Sequence, residues 1–426
     1  MERGDSTVIR FGGDIKTWED KMKKSIVLSM AASAIAMASG YKIPEQSINS
    51  TALNAAYTAY TMGADTAYFN PAAMSFMDDK SYIEAGLTLA HLPSIEFTSD
   101  ADAAYNGESK VENIPIPFGH FVAKPNGDWR WGVSLTAPGG LSKRWDTLAQ
   151  KASAQEFTLR VVELSPSFSY KVNDQFSLGG GARLIYSDGI VKSDAGTIAR
   201  DMEGDTIAGG YNLALLYKPT SDINVAATYR SKVDLKEKGN AKLYYNGSLV
   251  YSGGASVQIP LPAALVVGIS KTWNDRLTLE LDWERAYWSA YKNLDFEYDL
   301  AIPAPLVPYF DDPVAKDWDD ADTYRLGLSY KMDDALTMMA GYARGESPAP
   351  KKTIGFELPE SDANNYSAGF RYRQNENLSW GAAILYSDKE SLHIPAGVAD
   401  NQVIKGGGTF DKGGAVLATI GVAYEF

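Results

Sequence analysis

Large apolar residues alternate with small or polar ones, with period two, through most of this chain, and no other feature restricts its fold as much. At 129–137, Trp129, Trp131, Val133 and Leu135 alternate with Arg130, Gly132, Ser134 and Thr136. At 323–331, Tyr324, Leu326, Leu328 and Tyr330 alternate with Thr323, Arg325, Gly327, Ser329 and Lys331. Leu277, Leu279, Leu281 and Trp283 oppose Thr278, Glu280, Asp282 and Glu284, and the final run sets Val416, Ala418, Ile420, Val422, Tyr424 and Phe426 on one face. Such runs are strands with one apolar and one polar face. In a soluble sandwich the apolar face turns inward. In a membrane barrel it meets lipid, and the charges face the lumen.

The connections separate the two. About fourteen strand windows begin near residues 81, 113, 129, 157, 175, 207, 222, 257, 276, 321, 335, 364, 377 and 413. Short turns at 125–128, 173–174, 219–222, 274–275, 333–334 and 375–377 alternate strictly with long connections at 92–112, 138–156, 188–206, 239–256, 288–320, 345–363 and 388–412. An up-and-down membrane barrel has short turns on the periplasmic side and long loops outside. The expected fold is therefore all-β: a 14-stranded antiparallel transmembrane barrel in the outer membrane of a Gram-negative bacterium. The terminal Phe426 fits its last strand.

The barrel pattern starts only near residue 78. Residues 1–21 are polar, mixed in charge and aperiodic, and read as a non-native or upstream extension. Met22-Lys23-Lys24 then opens a basic region, Ser25 to Ala38 is apolar, and Ala36-Met37-Ala38 gives a small-x-small cleavage site. Residues 22–38 read as a secretory signal peptide, too short to span a bilayer. Residues 39–77 are rich in Ala, Ser, Thr and Tyr and end on Asn70-Pro71-Ala72 and the residues just after it. They form no strand pattern and are expected to be an N-terminal plug, or hatch, with residues 78–426 as the barrel around it.

Composition excludes several functions. Residues 1–38 carry six of the 40 basic and five of the 53 acidic side chains, which leaves 34 and 48 and a net charge of −14. That surplus argues against nucleic acid, whose phosphates demand clustered Lys and Arg. The chain has no cysteine, so its stability rests on hydrogen-bonded closure rather than disulfides. His91, His120 and His393 lie far apart with no metal-ligand spacing, and no nucleophile elbow or phosphate loop is present. No enzyme, metal or cofactor is expected. Gly179-Gly180-Gly181 lies inside a strand pattern, where glycine serves close packing or a bend. The acidic run from Asp311 to Asp322 reads as a solvated loop, with a bridging cation as the alternative. Apolar stretches at 301–310, 259–262 and 392–395 fall in or near outer connections; they form either a binding surface for something greasy or a lid packed on itself.

Several motifs, in order and at family spacing, carry a resemblance: Ser39-Gly40-Tyr41, Phe69-Asn70-Pro71-Ala72, Ser165 to Lys171 before Asn173-Asp174, Thr228-Tyr229-Arg230-Ser231, Asp322 to Gly327, and Gly341-Tyr342-Ala343 with Ser347-Pro348-Ala349-Pro350. From Ser39 to Phe426 the chain resembles the FadL-type outer-membrane transporters, which take up long-chain fatty acids and, in the TodX-like branch, aromatic hydrocarbons. The resemblance implies a hatch inside a fourteen-stranded barrel and a kinked third strand that opens the wall. It also implies ligand capture by the outer loops, and sideways exit into the membrane when the hatch's N-terminus shifts. Tyr41 then corresponds to the aromatic at the movable end, and Asn70, Pro71 and Ala72 to the hatch motif. Pro138, Gly139 and Gly140 mark the expected kink, because proline withholds a ladder donor and glycine permits a bend. Lys192 and Lys316 fall near the positions that meet the ligand carboxylate. The expected function is passive, hatch-gated transport of hydrophobic compounds, most of all long-chain fatty acids, by a monomer standing in outer-membrane lipid and lipopolysaccharide. An aromatic-hydrocarbon channel and an outer-membrane adhesin are the alternatives.

Overall fold

A computed structural model describes residues 40–426; the expected extension (1–21) and signal peptide (22–38) lie outside the described residues. Fourteen antiparallel strands close into one ring. They are β1 (Tyr82–Leu92), β2 (Glu112–Val122), β3 (Trp129–Arg144), β4 (Glu156–Lys171), β5 (Phe176–Asp194), β6 (Ile198–Thr220), β7 (Ile223–Arg230 with Val233–Tyr245), β8 (Ser248–Leu261 with Ala264–Trp273), β9 (Leu277–Ala286), β10 (Ala321–Lys331), β11 (Leu336–Gly345), β12 (Ala363–Arg373), β13 (Leu378–Lys389) and β14 (Gly414–Glu425). The ring closes where β1 pairs β14, from Tyr82↔Glu425 to His91↔Val416. Closure leaves the sheet no terminal edge strand, which a hydrocarbon environment demands because no water is there to pair with backbone groups.

The alternation sets the faces. On β4, Glu163, Ser165, Ser167 and Ser169 are buried, while Leu164, Phe168 and Tyr170 are exposed on the outer surface. A soluble protein does the opposite, so the wall is built for lipid outside and polar contacts inside. Exposed Trp129, Tyr170, Tyr217, Trp273, Tyr330, Tyr372 and Tyr424 each lie close to a short turn, forming an aromatic girdle at that end.

Two of the seven expected outer loops are not loops. Residues 188–206 and 239–256 continue the β5–β6 and β7–β8 hairpins to tight tips at 195–197 and 246–247, where Gly196 (φ +82°), Asn246 (φ 49°) and Gly247 (φ +75°) take left-handed turns. β6 has 23 residues against the roughly 9–11 a spanning strand needs. The surplus stands outside the membrane and pairs with its neighbour, from Lys238↔Asp205 to Tyr245↔Ile198. The remaining outer connections fold over the ring. Ile302, Leu306 and Phe310 are buried in the largest apolar cluster and Ile394 in another, so the apolar loop stretches pack on the protein's own interior.

Residues 40–77 lie inside the ring. A short helix (Ile48–Ala52) starts at Ser47, whose side chain and that of Ser50 cap each other's backbone N–H, and a 3-10 turn (Pro71–Phe76) starts at Asn70. Bonds to the segment come from around the wall. Thr51 Oγ1 meets Thr419 of β14 at 3.0 Å, Asn54 Nδ2 donates to Ser367 of β12 at 2.7 Å, and the Tyr57 N–H donates to Asp282 of β9 at 3.1 Å. Ser167 of β4 and Ser177 of β5 donate to the carbonyls of Ala67 and Ala72. The first residue of the sequence's glycine triplet serves this packing: a Cβ on Gly179 would overlap Ala72 N and Pro71 C, whereas Gly180 and Gly181 allow close approach of the neighbouring strands. Gly179→Leu is expected to dislodge the segment while leaving the ladder intact. Proteolysis within residues 40–77 should rise with heat-modifiable gel mobility retained, and an unchanged cleavage pattern would count against this packing.

Candidate functional site

The ladder is interrupted between β6 and β7, where pairing stops at Asn212↔Arg230 and resumes at Asp205↔Lys238, and between β2 and β3. β3 pairs β4 from Trp129↔Tyr170 to Arg144↔Glu156, with a register shift between Thr136 and Gly139. Against β2, however, β3 pairs only from Gly119↔Leu135 to Val122↔Gly132. Above Leu135, β3 leaves β2 and bonds to the enclosed segment instead. The Ile43 N–H donates to Pro138 O (2.9 Å), the Gly140 N–H donates to Tyr41 O (2.8 Å), and Lys42 bridges Gly139. The Gln46 side-chain amide holds both backbone groups of Ala137, its Nε2 donating to the carbonyl and its Oε1 accepting from the N–H, each at 2.8 Å. Pro138, Gly139 and Gly140 thus form the stretch of β3 that carries the enclosed segment's start. At the outer rim the strands meet again, where the Lys110 N–H donates to Arg144 O (2.8 Å) and the Arg144 guanidinium grips both oxygens of Glu112 at 2.6 Å.

Tyr41 sits on the outer side of this junction in an aromatic cage. Its ring stands edge-on to Trp288 at 4.6 Å and to Tyr291 at 6.3 Å, Trp318 lies 6.0 Å away, and its hydroxyl donates to Pro260 O. A cavity of about 20 Å³ adjoins it, lined among others by Leu141, Phe157, Trp318 and Lys316. Lys316 is buried and paired with Glu357. Lys192 is elsewhere: half-exposed on β5, it faces Glu156 at 3.4 Å and Asp201 at 3.9 Å and lines none of the cavities described here. Tyr41 and Lys316 therefore come together and Lys192 does not join them. Asn70, Pro71 and Ala72 lie at the other end of the enclosed segment. There the Asn70 Nδ2 donates to Thr58 O (2.8 Å), its Oδ1 accepts from the Ala72 N–H (3.1 Å), and the turn packs on β5.

A second cavity, of about 90 Å³, lies between the enclosed segment and the wall. Ile43, Pro44, Phe69, Leu261 and Val266 give it apolar sides, while Lys42, Arg183, Arg230 and Arg325 bring four cations to it. Two carboxylates tie these together. Glu163 accepts from Arg183 (3.0 and 2.8 Å), from Arg230 and from the Ser165 hydroxyl. Glu284 bridges Lys42 and Arg325, the latter at 2.8 Å. Among the described residues Arg325 Nη1 has no hydrogen-bond partner, and the Arg230 guanidinium lies 4.2 Å from the Tyr68 ring. The sequence places each of these side chains on a polar, inward face but gives no sign that they converge, because convergence depends on register between strands far apart in the chain. A wider cavity, about 980 Å³, opens beneath the segment at the short-turn end. Among the described residues no group of three or more His, Asp or Glu is arranged to hold a metal, the acidic run 311–322 included. His120 is buried and bonds Ser134 and the Gln46 carbonyl.

The start of the enclosed segment is also tied to an outer connection. The Gly40 N–H donates to Glu360 (3.3 Å), which pairs with Lys389 at 2.6 Å. Burial pushes the Glu360 carboxyl up to about 7 against the opposing pull of Lys389, from an ordinary 4.5. The folded protein therefore holds this proton more tightly than the unfolded chain. The resulting stability is present below about pH 4.5 and lost as pH rises through 7, in total on the order of 3 kcal/mol. The unfolding midpoint of the purified protein should fall between pH 5 and pH 8, and Glu360→Gln, which mimics the protonated form, should flatten that fall; an identical pH profile for the variant would contradict it.

Comparison with known proteins agrees with this architecture. The family model described as "Outer membrane protein transport protein (OMPP1/FadL/TodX)" matches residues 29–426. The long-chain fatty acid transport protein of Escherichia coli (strain K12) is 25% identical over 383 residues, covering 77% of this chain and 83% of that protein. The crystal structure of a Pseudomonas aeruginosa FadL homologue superposes with a TM-score of 0.77 at 22% identity, over 90% of this chain and 99% of the other. That of the toluene transporter TodX of P. putida gives 0.68 at 19% identity, over 89% and 98%. With the family model spanning every described residue and the same closed barrel in these structures, the chain belongs to the OMPP1/FadL/TodX family of outer-membrane transport proteins.

Proposed function

We propose that this protein admits long-chain fatty acids through the outer membrane by passive diffusion, along a path that runs past the enclosed segment and out sideways through the wall. The observation that carries the choice of ligand is the 90 Å³ cavity, where apolar sides meet four cations and Glu284 is the one lining carboxylate. A hydrocarbon has no use for the donor that Glu163 and Glu284 leave without a partner, Arg325 Nη1, and burying such a group is costly unless something pairs with it. A carboxylate with an apolar tail uses both parts. Lys316 beside the aromatic cage offers the same pairing nearer the outer surface. The relative named as a long-chain fatty acid transport protein supports this assignment.

The path is gated, in this proposal, by the enclosed segment acting as a hatch. Its Tyr41 end is the moving part, held by the aromatic cage and by strand-like bonds to Pro138 and Gly140. Asn70, Pro71 and Ala72 form the fixed end against β4 and β5. The gap above Leu135 is the exit, which suits a greasy ligand because about 25 cal/mol is gained for each Å² of apolar surface kept from water. The protein acts as a monomer whose wall stands in lipid and lipopolysaccharide. The aromatic cage of Tyr41, Trp288, Tyr291 and Trp318 favours a second reading, an aromatic-hydrocarbon channel.

Uptake of oleate and of toluene by a deletion strain carrying the gene or Arg325→Met decides between them. Oleate uptake should depend on the gene and fall several-fold more than toluene uptake in the variant. The ratio of the two cancels any loss of folded protein. Equal losses would favour the hydrocarbon channel, and uptake of both independent of the gene would leave a surface interaction role instead.

A further inference from the structure

β2 contains two prolines, Pro115 and Pro117, in the stretch that β3 leaves unpaired. Successive residues of a strand turn their N–H groups to opposite neighbours. The Ala123 N–H, one residue past β2, donates to Trp131 O beyond the start of β3 (2.9 Å), so the odd-numbered positions along β2 face β3. Pro115 and Pro117 are odd. Their missing donors therefore all fall on the β3 side, while the even positions serve β1, and the β1–β2 ladder runs unbroken from Tyr82↔Val122 to Leu92↔Glu112.

Continuing the register of Gly119↔Leu135 would set Pro117 opposite Ala137 and Pro115 opposite Gly139. Those are the residues of β3 that bond elsewhere. A strand residue at position 117 would exchange two hydrogen bonds with Ala137. The buried Gln46 amide makes both of them instead, accepting from the Ala137 N–H and donating to its carbonyl. Lys42 bridges Gly139, opposite the other proline. The outer rim of the gap is held by the Arg144–Glu112 pair. The gap is thus bounded at both ends and vacated between by residues unable to fill it, rather than being a frayed edge.

We infer that Pro115 and Pro117 hold the wall open: they deny β2 the donors needed to zip onto β3, and Gln46 supplies the pairing that Ala137 would otherwise lack. The prolines leave the side chains of Ile114 and Ile116 facing inward, buried against Ile43 and Ala137, so they set backbone pairing without changing the apolar lining. The role in transport rests on the exit proposed above; the role in wall geometry does not.

The test is Pro115→Val/Pro117→Val, with folding checked by heat-modifiable mobility and, as a second variant, the same pair combined with Gln46→Leu to free Ala137. Two restored ladder bonds should shift the balance toward a closed wall by about tenfold or more. Hydrogen exchange measured by mass spectrometry on purified protein should then show slowed exchange over 112–118 and new amides at 115 and 117 as protected as that of Gly119, and oleate uptake should fall. If the new amides exchange like those of exposed loops in both variants, the prolines are not what separates the strands and the inference is overturned, whatever uptake does. If the ladder closes and uptake is unchanged, the prolines hold the wall as inferred and the lateral exit is what fails.

Discussion

Every backbone N–H and C=O within the hydrocarbon must find a partner inside the protein, and the architecture follows from that requirement. It forces strands into a closed ring, places the ring's seam at β1–β14, and makes any interruption costly unless something replaces the missing ladder. The gap between β2 and β3 meets the requirement in two ways. On β3 the enclosed segment takes over the pairing, through Ile43, Tyr41 and the Gln46 amide. On β2 two of the groups that would need a partner are absent, because Pro115 and Pro117 carry no N–H. The wall and the segment inside it are therefore one hydrogen-bonded system, and the segment's start cannot move without exposing backbone groups of β3.

The interior obeys the same rule with side chains in place of strands. Residues 57–60 form no regular structure, and their N–H groups go to carboxylates of β9: Tyr57 to Asp282, and Thr58, Ala59 and Tyr60 to Glu280. Buried cations are neutralised in groups, Arg183 and Arg230 by Glu163 and Lys42 and Arg325 by Glu284. Removing one member of such a group leaves a charge stranded, which costs about 3–5 kcal/mol, more than the pair itself contributes. The lumen's polarity thus specifies where the segment sits as much as it serves any ligand.

The strand count and the direction of each face were legible in the sequence because period two survives without knowledge of the partner strand: Trp129, Leu328 or Ile420 points outward whatever lies beside it. The segment 40–77 stood out for the complementary reason, having no such period. What the chain order concealed was anything set by register. The outer stretches 188–206 and 239–256 carry enough Gly, Asp and Lys to resemble loops, yet they are paired strands, since an extended hairpin needs no apolar face where both sides meet water. Lys192 was singled out by position along the chain and lies on that hairpin, among acidic neighbours. Arg230 and Arg325 stand in the sequence only as parts of a motif and an alternation, and Arg183 in neither, because it is β5, β7 and β10 that bring the three together across the lumen. Pro115 and Pro117 were visible throughout, but their meaning depends on which neighbour an odd-numbered residue faces.

Charge and apolar surface are distributed along the lumen in an order that bears on mechanism. Nearest the outer loops, Tyr41 stands among Trp288, Tyr291 and Trp318 with the paired Lys316 at the edge, so an amphiphile following the proposed path would meet mostly aromatic surface there. Past the Tyr41–Pro138 junction, cations predominate over carboxylates in the cavity lining, and one guanidinium nitrogen is unpaired. Beyond that, at the short-turn end, the space is wide and lined by residues such as Lys218, Arg276, Asp333 and Glu425, of both signs. A ligand carrying one negative group would be drawn inward as far as the middle region, and the wide mouth beyond it has no matching excess of cations. In the proposed path, lateral release would answer a physical problem: a charged headgroup would be best held where the wall is interrupted, and the tail's most favourable surroundings would lie in the membrane beside it rather than in the aqueous space below.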